Sequence, residues 1–171
     1  MKLIAGEELR ARLADKPPLV EHLIDAETQI QVNGIDFTVR EVAEFSSEPG
    51  AIDFDNSERR TPRTTPVPTD GEGWWQLPSG TFWILYNELV NIPADIFAMA
   101  RTRSSLLRSG AQIGTALWDS GYSGRSGSLL SVQNPAGIRL RKNARVLQLV
   151  FFGLDVASAS TYSGRYQNEN K

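Results

Sequence analysis

Between Met99 and Gly124 the chain reads MARTRSSLLRSGAQIGTALWDSGYSG. This one span holds Arg101, Arg103 and Arg108, the hydroxyls of Ser104 and Ser105, a single acid, Asp119, and the aromatic Tyr122. Arginine presents a planar fork of donors that matches phosphate oxygens, and serine hydroxyls with backbone N–H groups at a glycine-containing turn add more. Those residue types point to a phosphorylated ligand. From Arg101 to Gln148 the basic residues are Arg101, Arg103, Arg108, Arg125, Arg139, Arg141, Lys142 and Arg145, and the only carboxylate is Asp119. Cleaving a phosphoanhydride needs an in-line water, a group to take its proton, and positive charge where negative charge develops. Asp119 is therefore the candidate base. The same residues admit a plainer reading, with Asp119 as an acceptor in a tight turn, Arg103 to Ser105 as a salt-bridged turn, and Tyr122 as a core aromatic.

Composition narrows the field. The 171 residues carry 18 Lys and Arg against 20 Asp and Glu, a formal charge of −2. That balance argues against a general nucleic-acid binder and for a small anion as ligand. There is no cysteine, which removes disulfides, thiolate metal sites and a thiol nucleophile. His22, the only histidine, lies between Glu21 and Leu23 and reads as a surface or packing residue; His-dependent triads and His-rich metal clusters are excluded. No apolar run approaches the roughly 20 residues of a membrane helix, and Met1 to Ile4 is followed by Glu7 and Glu8 rather than by a signal-peptide core. The expectation is a soluble, cytoplasmic protein with one domain over residues 1–171.

The elements that must position these groups are mostly strands. Ala5 to Asp15 places Leu9 and Leu13 four residues apart among charged neighbours, with Pro17-Pro18 as a stop, so a short helix is expected within the first 16 residues. From Gln29 to Phe45 apolar residues alternate around a turn at Asn33-Gly34, the period of strands. Gly50 to Gly73, rich in proline and charge, reads as a long surface excursion, and Asp53, Asp55 and Asp70 as loop charges. Strand character returns at Trp74 to Leu77, Thr81 to Tyr86 and Leu89 to Pro93, and again at Ser128 to Val132, Ile138 to Leu140 and Val146 to Phe152. Short strands with frequent turn signals indicate an all-β sandwich, jelly roll or barrel. The tail from Ala157 to Lys171 is polar and offers little apolar area to offset its ordering.

Taken in order, the motifs resemble those of the dUTPase and dCTP deaminase superfamily, most closely its archaeal-type dUTPase branch. QVNGIDFTV at Gln31 to Val39 resembles the first segment of that family. Arg103-Ser104-Ser105-Leu106 resembles its triphosphate-gripping Arg-Ser-Ser motif, with Arg108 just beyond. Asp119, Tyr122 and Gly124 match the acid, aromatic and glycine of its third motif, a β-hairpin that reads the uracil edge through backbone groups. Arg145-Val146-Leu147-Gln148 resembles the fourth, whose glutamine touches phosphate. Tyr162 to Gln167, YSGRYQ, resembles the mobile C-terminal segment that closes over the nucleotide, without the glycine-rich form of many dUTPases.

The resemblance implies a dUTPase-like β-clip, or distorted jelly roll, with a short N-terminal helix, assembled as a homotrimer with sites between subunits. It implies hydrolysis of dUTP to dUMP and diphosphate, with Asp119 activating water and Tyr122 against the deoxyribose. The nucleotide contacts would be Arg103, Ser104, Ser105, Arg108, Tyr122, Gln148, Tyr162, Arg165, Tyr166 and Gln167. Mg²⁺ would enter on the triphosphate, held by phosphate oxygens and waters, with no protein metal cage. The nearest alternative is dCTP deamination, alone or coupled to the same hydrolysis. Deaminases of this superfamily use a glutamate on the strand after the hairpin, and Arg125 to Val132 contains no carboxylate, histidine or cysteine. A third reading is a non-catalytic β module whose arginines bind a protein or nucleic-acid phosphate.

Overall fold

Alternating apolar and polar residues carry most of the chain into antiparallel strands in the computed structural model, which describes Met1–Lys171. From the N-terminus come β1 (Lys2–Ile4), α1 (Gly6–Arg12), β2 (Val20–Glu21), α2 (Ala26–Gln29), β3 (Ile30–Gln31) and the long β4 (Gly34–Phe45). Next are β5 (Thr64–Pro66), β6 (Trp74–Leu77), β7 (Gly80–Tyr86), β8 (Leu89–Asn91) and β9 (Ile96–Thr102). The last part holds α3 (Ser104–Arg108), β10 (Ala111–Gly114), β11 (Ser123–Gly124), β12 (Gly127–Val132), β13 (Ile138–Arg141) and β14 (Arg145–Gly153). The N-terminal helix is shorter than expected. Lys2 to Ile4 form a strand opposite Phe151 to Gly153, because the edge of β14 is open there and Ile4 gains full burial beneath it.

One nine-stranded sheet runs β1-β14-β4-β7-β12-β10, with β3 and β5 also on β4 and β9 also on β14; β11-β8-β2 and β13-β6 form smaller sheets. β4 turns the corner. Its first half, Ile35 to Thr38, pairs with β14, and its second half, Val39 to Ala43, with β7, so the sheet curls around this strand. Curling buries both faces of the first half, which explains why Ile35, Asp36, Phe37, Thr38 and Val39 are all buried where simple alternation would expose every other residue. Phe37 meets Tyr86 edge-on at 5.6 Å in the core. Residues 50–73 are irregular as expected, apart from a bridge between Ala51 and Arg60 and the pairing of β5 with Ala43 to Phe45. No helix is long and apolar enough to cross a membrane.

The polar residue Thr38 cannot enter that core without partners, and Glu88, itself fully buried, supplies them. Its carboxyl accepts from the Thr38 N–H at 2.9 Å, the Thr38 hydroxyl at 2.6 Å and the Gln29 side-chain amide at 2.7 Å. These bonds tie β4, the end of α2 and the turn before β8 together at the corner. Burial raises the Glu88 pKa above its ordinary 4.5, and the Thr38 and Gln29 hydrogen bonds offset only part of the rise. A raised carboxyl favours folding while protonated, so its contribution is complete below the ordinary value and is lost as pH climbs through the raised one. Glu88→Gln removes that titration. In urea unfolding the stability gap between wild type and Glu88→Gln should shift in the variant's favour as pH rises from about 4 to about 8; a gap independent of pH would contradict this account.

Candidate active site

Three sequence-distant motif residues meet on one buried acid. The Asp36 side chain, 1% exposed, pairs with Arg103 Nε at 3.0 Å and with Arg145 at 3.3 Å, and Gln148 donates to it at 3.4 Å. Residues 145 and 148 are an odd number apart and would point to opposite faces of a regular strand. A bulge in β14 between Arg145 and Leu147 resets the alternation and brings both to Asp36. The carbonyl of the bulged Val146 then accepts the Arg103 N–H at 3.0 Å, which fixes Arg103 at the start of α3. Burial pushes the Asp36 pKa up, and the guanidiniums of Arg103 and Arg145 work against the rise. Each arginine side chain keeps about 30% of its surface exposed, so the pair is anchored yet reachable from solvent, close in sequence to the exposed Ser104, Ser105 and Arg108. Two cations on one anion leave a net positive cradle suited to phosphate.

Within one chain Asp119 has no ion-pair partner within 4.0 Å, and the acid that holds Arg103 and Arg145 is Asp36, from β4.

Asp119 instead lies in the wall of a separate cavity of about 540 Å³. The span from Thr115 to Ser126 is a wide loop inside the β10–β12 hairpin, drawn aside where β11 pairs with β8. Tyr122, 6% exposed, is at once a core residue and a cavity wall. Trp83 closes another side, and a Cβ on Gly127 would run into its indole ring, so only glycine lets β12 pass there. Thr61, Pro62 and Thr64 also line the cavity, which gives the long excursion a place in the site beyond the surface role expected of it.

The tail lies along the free edge of this loop. Tyr162 N–H donates to Ser120 C=O at 2.8 Å, Asn168 N–H to Ser123 C=O at 2.7 Å, and Arg125 N–H to Glu169 C=O at 2.9 Å. The Gln167 carboxamide accepts from Ser123 N–H and donates to Gly121 C=O, both at 2.9 Å. Tyr162, Tyr166 and Glu169 thereby complete the cavity wall, while Arg165 is exposed. None of Arg103, Ser104, Ser105, Arg108 or Gln148 lines this cavity. Within one chain, then, the sequence-derived site residues form two groups, a phosphate-type cradle and an aromatic cavity.

Residues 3–154 match the model of a family described as dCTP deaminase-like. The chain belongs to that family. It is 49% identical over 170 residues to a Methanosarcina mazei protein named probable deoxyuridine 5'-triphosphate nucleotidohydrolase, with 99% of each chain covered. A protein of the same name from Archaeoglobus fulgidus is 43% identical over 170 residues, covering 99% of this chain and 98% of that one. Among solved structures, 2'-deoxycytidine 5'-triphosphate deaminase from Agrobacterium tumefaciens shares the fold, with a TM-score of 0.63 at 21% identity over 87% of this chain and 47% of that one.

For this dCTP deaminase-like chain, sequence reasoning did not single out Asp36, Trp83 or Glu169. Asp36 lies inside the first motif quoted, and its polar type amid Ile35, Phe37 and Val39 was the available signal. Glu169 carried none, since a glutamate in a polar tail is ordinary. If Asp36 anchors both guanidiniums, Asp36→Ala strands two cations against buried surface. It should lose about 3 kcal/mol in denaturant unfolding, with little change on adding salt because the carboxylate is shielded. A loss below about 1 kcal/mol would class these pairs with exposed ones.

Proposed function

We propose that this protein is a dUTP diphosphatase, converting dUTP and water to dUMP and diphosphate. The observation that carries the reading is Asp119, an exposed carboxylate with no ion-pair partner, set in the wall of a cavity framed by Tyr122, Trp83 and Tyr162. In this reading water attacks the α-phosphorus in line as its proton passes to Asp119. The bond from that phosphorus to the bridging oxygen breaks, and diphosphate leaves with the electron pair. Arg103, Ser104, Ser105, Arg108, Arg145 and Gln148 hold the phosphates. The Tyr122 ring lies against the deoxyribose and leaves no room for a 2′-hydroxyl. The tail releases to admit nucleotide and recloses, with Tyr162, Arg165, Tyr166 and Gln167 nearest it. The names of the Methanosarcina mazei and Archaeoglobus fulgidus relatives, matched end to end, support this substrate.

Mg²⁺, bound with the triphosphate, supplies positive charge at its oxygens. The oxygen donor fitting such an ion or its waters is Asp119, whose carboxylate is exposed, whereas Asp36 is taken up by arginine. The reading places the enzyme in the cytoplasm, acting on free nucleotide rather than nucleic acid, in keeping with its charge of −2.

The cradle and the cavity have no lining residue in common within one chain, and this supports a homotrimer in which the cradle of one copy meets the cavity of the next. Met99, Leu107, Leu117 and Leu129 are exposed apolar side chains on β9, α3, the hairpin loop and β12 that such a contact would cover. Light scattering should give three times the 18.9 kDa chain mass, and an active monomer at working concentration would overturn the arrangement.

One observation favours a second reading, deamination of dCTP. The tail brings Glu169 to the cavity that Ser126 and Gly127 also line, at the start of β12, a strand with no carboxylate of its own. Chromatography of products from dUTP, UTP and dCTP with Mg²⁺ separates the two. The expected result is dUMP and diphosphate from dUTP, with dCTP unchanged. Asp119→Asn should lower kcat by about a thousandfold while dUTP still binds. Formation of dUTP or dUMP from dCTP would favour the second reading, and normal turnover by Asp119→Asn would remove Asp119 from the chemistry.

A further inference from the structure

Four side chains form a hydrogen-bonded row from the core to the tail. Trp118 Nε1 donates to Ser126 Oγ at 2.6 Å, Ser126 Oγ lies 3.1 Å from the Tyr122 hydroxyl, and that hydroxyl donates to Glu169 Oε1 at 2.8 Å. The row has a direction. An ionised carboxylate only accepts, so the Tyr122 hydroxyl gives its proton to Glu169. Ser126 Oγ, which accepts from Trp118, is then the donor in its contact with the Tyr122 oxygen. Trp118 and Ser126 are buried, so the start of the row is fixed, and its end is supplied by a segment more than forty residues away in sequence.

We infer that Glu169 is a positioning residue for Tyr122: its carboxylate completes the row, fixes the phenol ring in the cavity wall, and so sets discrimination between deoxyribose and ribose. The inference rests on the dUTPase reading, in which Tyr122 lies against the sugar.

Independent geometry supports the pairing. A Cβ on Gly124 would stand 2.8 Å from the Tyr122 hydroxyl and 3.2 Å from the Glu169 backbone, so the glycine of the motif is what lets tail and tyrosine meet. Tyr162 packs edge-on against the Tyr122 ring at 5.6 Å and 75°, bracing it from the same segment. Burial raises the Glu169 pKa while the Tyr122 hydroxyl opposes the rise, as expected of a carboxyl drawn out of water onto one donor. Without Glu169 the phenol would lose its acceptor and keep only Ser126 and packing to hold the ring.

The test compares kcat/KM for dUTP and UTP in wild type, Glu169→Ala, Glu169→Gln, Tyr122→Phe and the double variant Tyr122→Phe with Glu169→Ala. Losing one hydrogen bond to a charged acceptor should lower the dUTP:UTP ratio about tenfold in Glu169→Ala. Glu169→Gln should retain most of the ratio, because a carboxamide oxygen still accepts from the phenol. The double variant should fall no further than Tyr122→Phe alone, since both changes cut the same bond. An unchanged ratio in Glu169→Ala, or effects that multiply in the double variant, would overturn the inference. So would Glu169→Gln failing as badly as Glu169→Ala, a result expected of a proton carrier. If wild type turns over no dUTP, the functional reading fails instead, and the pairing is still tested by hydrogen exchange. Arg125 N–H, bonded to Glu169 C=O, should exchange about tenfold faster in both Glu169→Ala and Tyr122→Phe, and undiminished protection in both would overturn the coupling of tail to tyrosine.

Discussion

The structure depends on β4 carrying two buried polar side chains two residues apart. Asp36 and Thr38 are each less than 3% exposed, and in an apolar core such groups persist only if every charge and hydrogen-bonding atom finds a partner. Asp36 takes the guanidiniums of Arg103 and Arg145 with the amide of Gln148; Thr38 takes Glu88 and, through it, Gln29. One set of partners is chemistry turned outward, since the arginines keep exposed surface. The other is structural and closed. Because both sets hang on one strand at the point where the sheet curls, the corner of the fold and the arginine cradle are the same object.

The bulge in β14 belongs to this arrangement. It sets Arg145 and Gln148 on one side and offers the Val146 carbonyl to Arg103, so a single extra residue aligns the fourth motif with the second. The cavity side is built differently. Asp119 and Tyr122 sit on a loop that would be loosely held were it not pinned by β8 on one edge and by the tail on the other. Arginines braced by a buried acid suit a charge that must be met in fixed geometry, whereas the loop takes its bracing from β8 and from the docked tail.

Much of this was readable from the residues in order. Alternating β-branched and aromatic residues gave the strands from Trp74 to Asn91 and from Gly127 to Gly153 nearly as they stand, because period-two alternation and turn residues act locally. The glycine at 124, the Arg-Ser-Ser run and the Asp119–Tyr122 spacing likewise belong to short segments. β1 was not readable, since three residues of edge strand form only because β14 offers a partner. The acid that pairs with Arg103 and Arg145 was not readable for a related reason. Counting charges along the chain finds Asp119, but ion pairing is decided by distance in space, and Asp36 is the one within reach.

The sequence by itself determined that this is a mostly β member of the dCTP deaminase-like family, with arginine and serine donors clustered after Met99 and one acid and one tyrosine in a glycine-bounded turn. Only tertiary structure decided which acid serves the arginines, which carboxyl meets Tyr122, and that cradle and cavity stand apart within one chain. Those relations run between Asp36 and Arg145 or Tyr122 and Glu169, pairs joined by curling and docking rather than by sequence spacing. Propensity and periodicity describe neighbours along the chain, whereas a buried charge takes the partner that packing and hydrogen-bond geometry leave within reach.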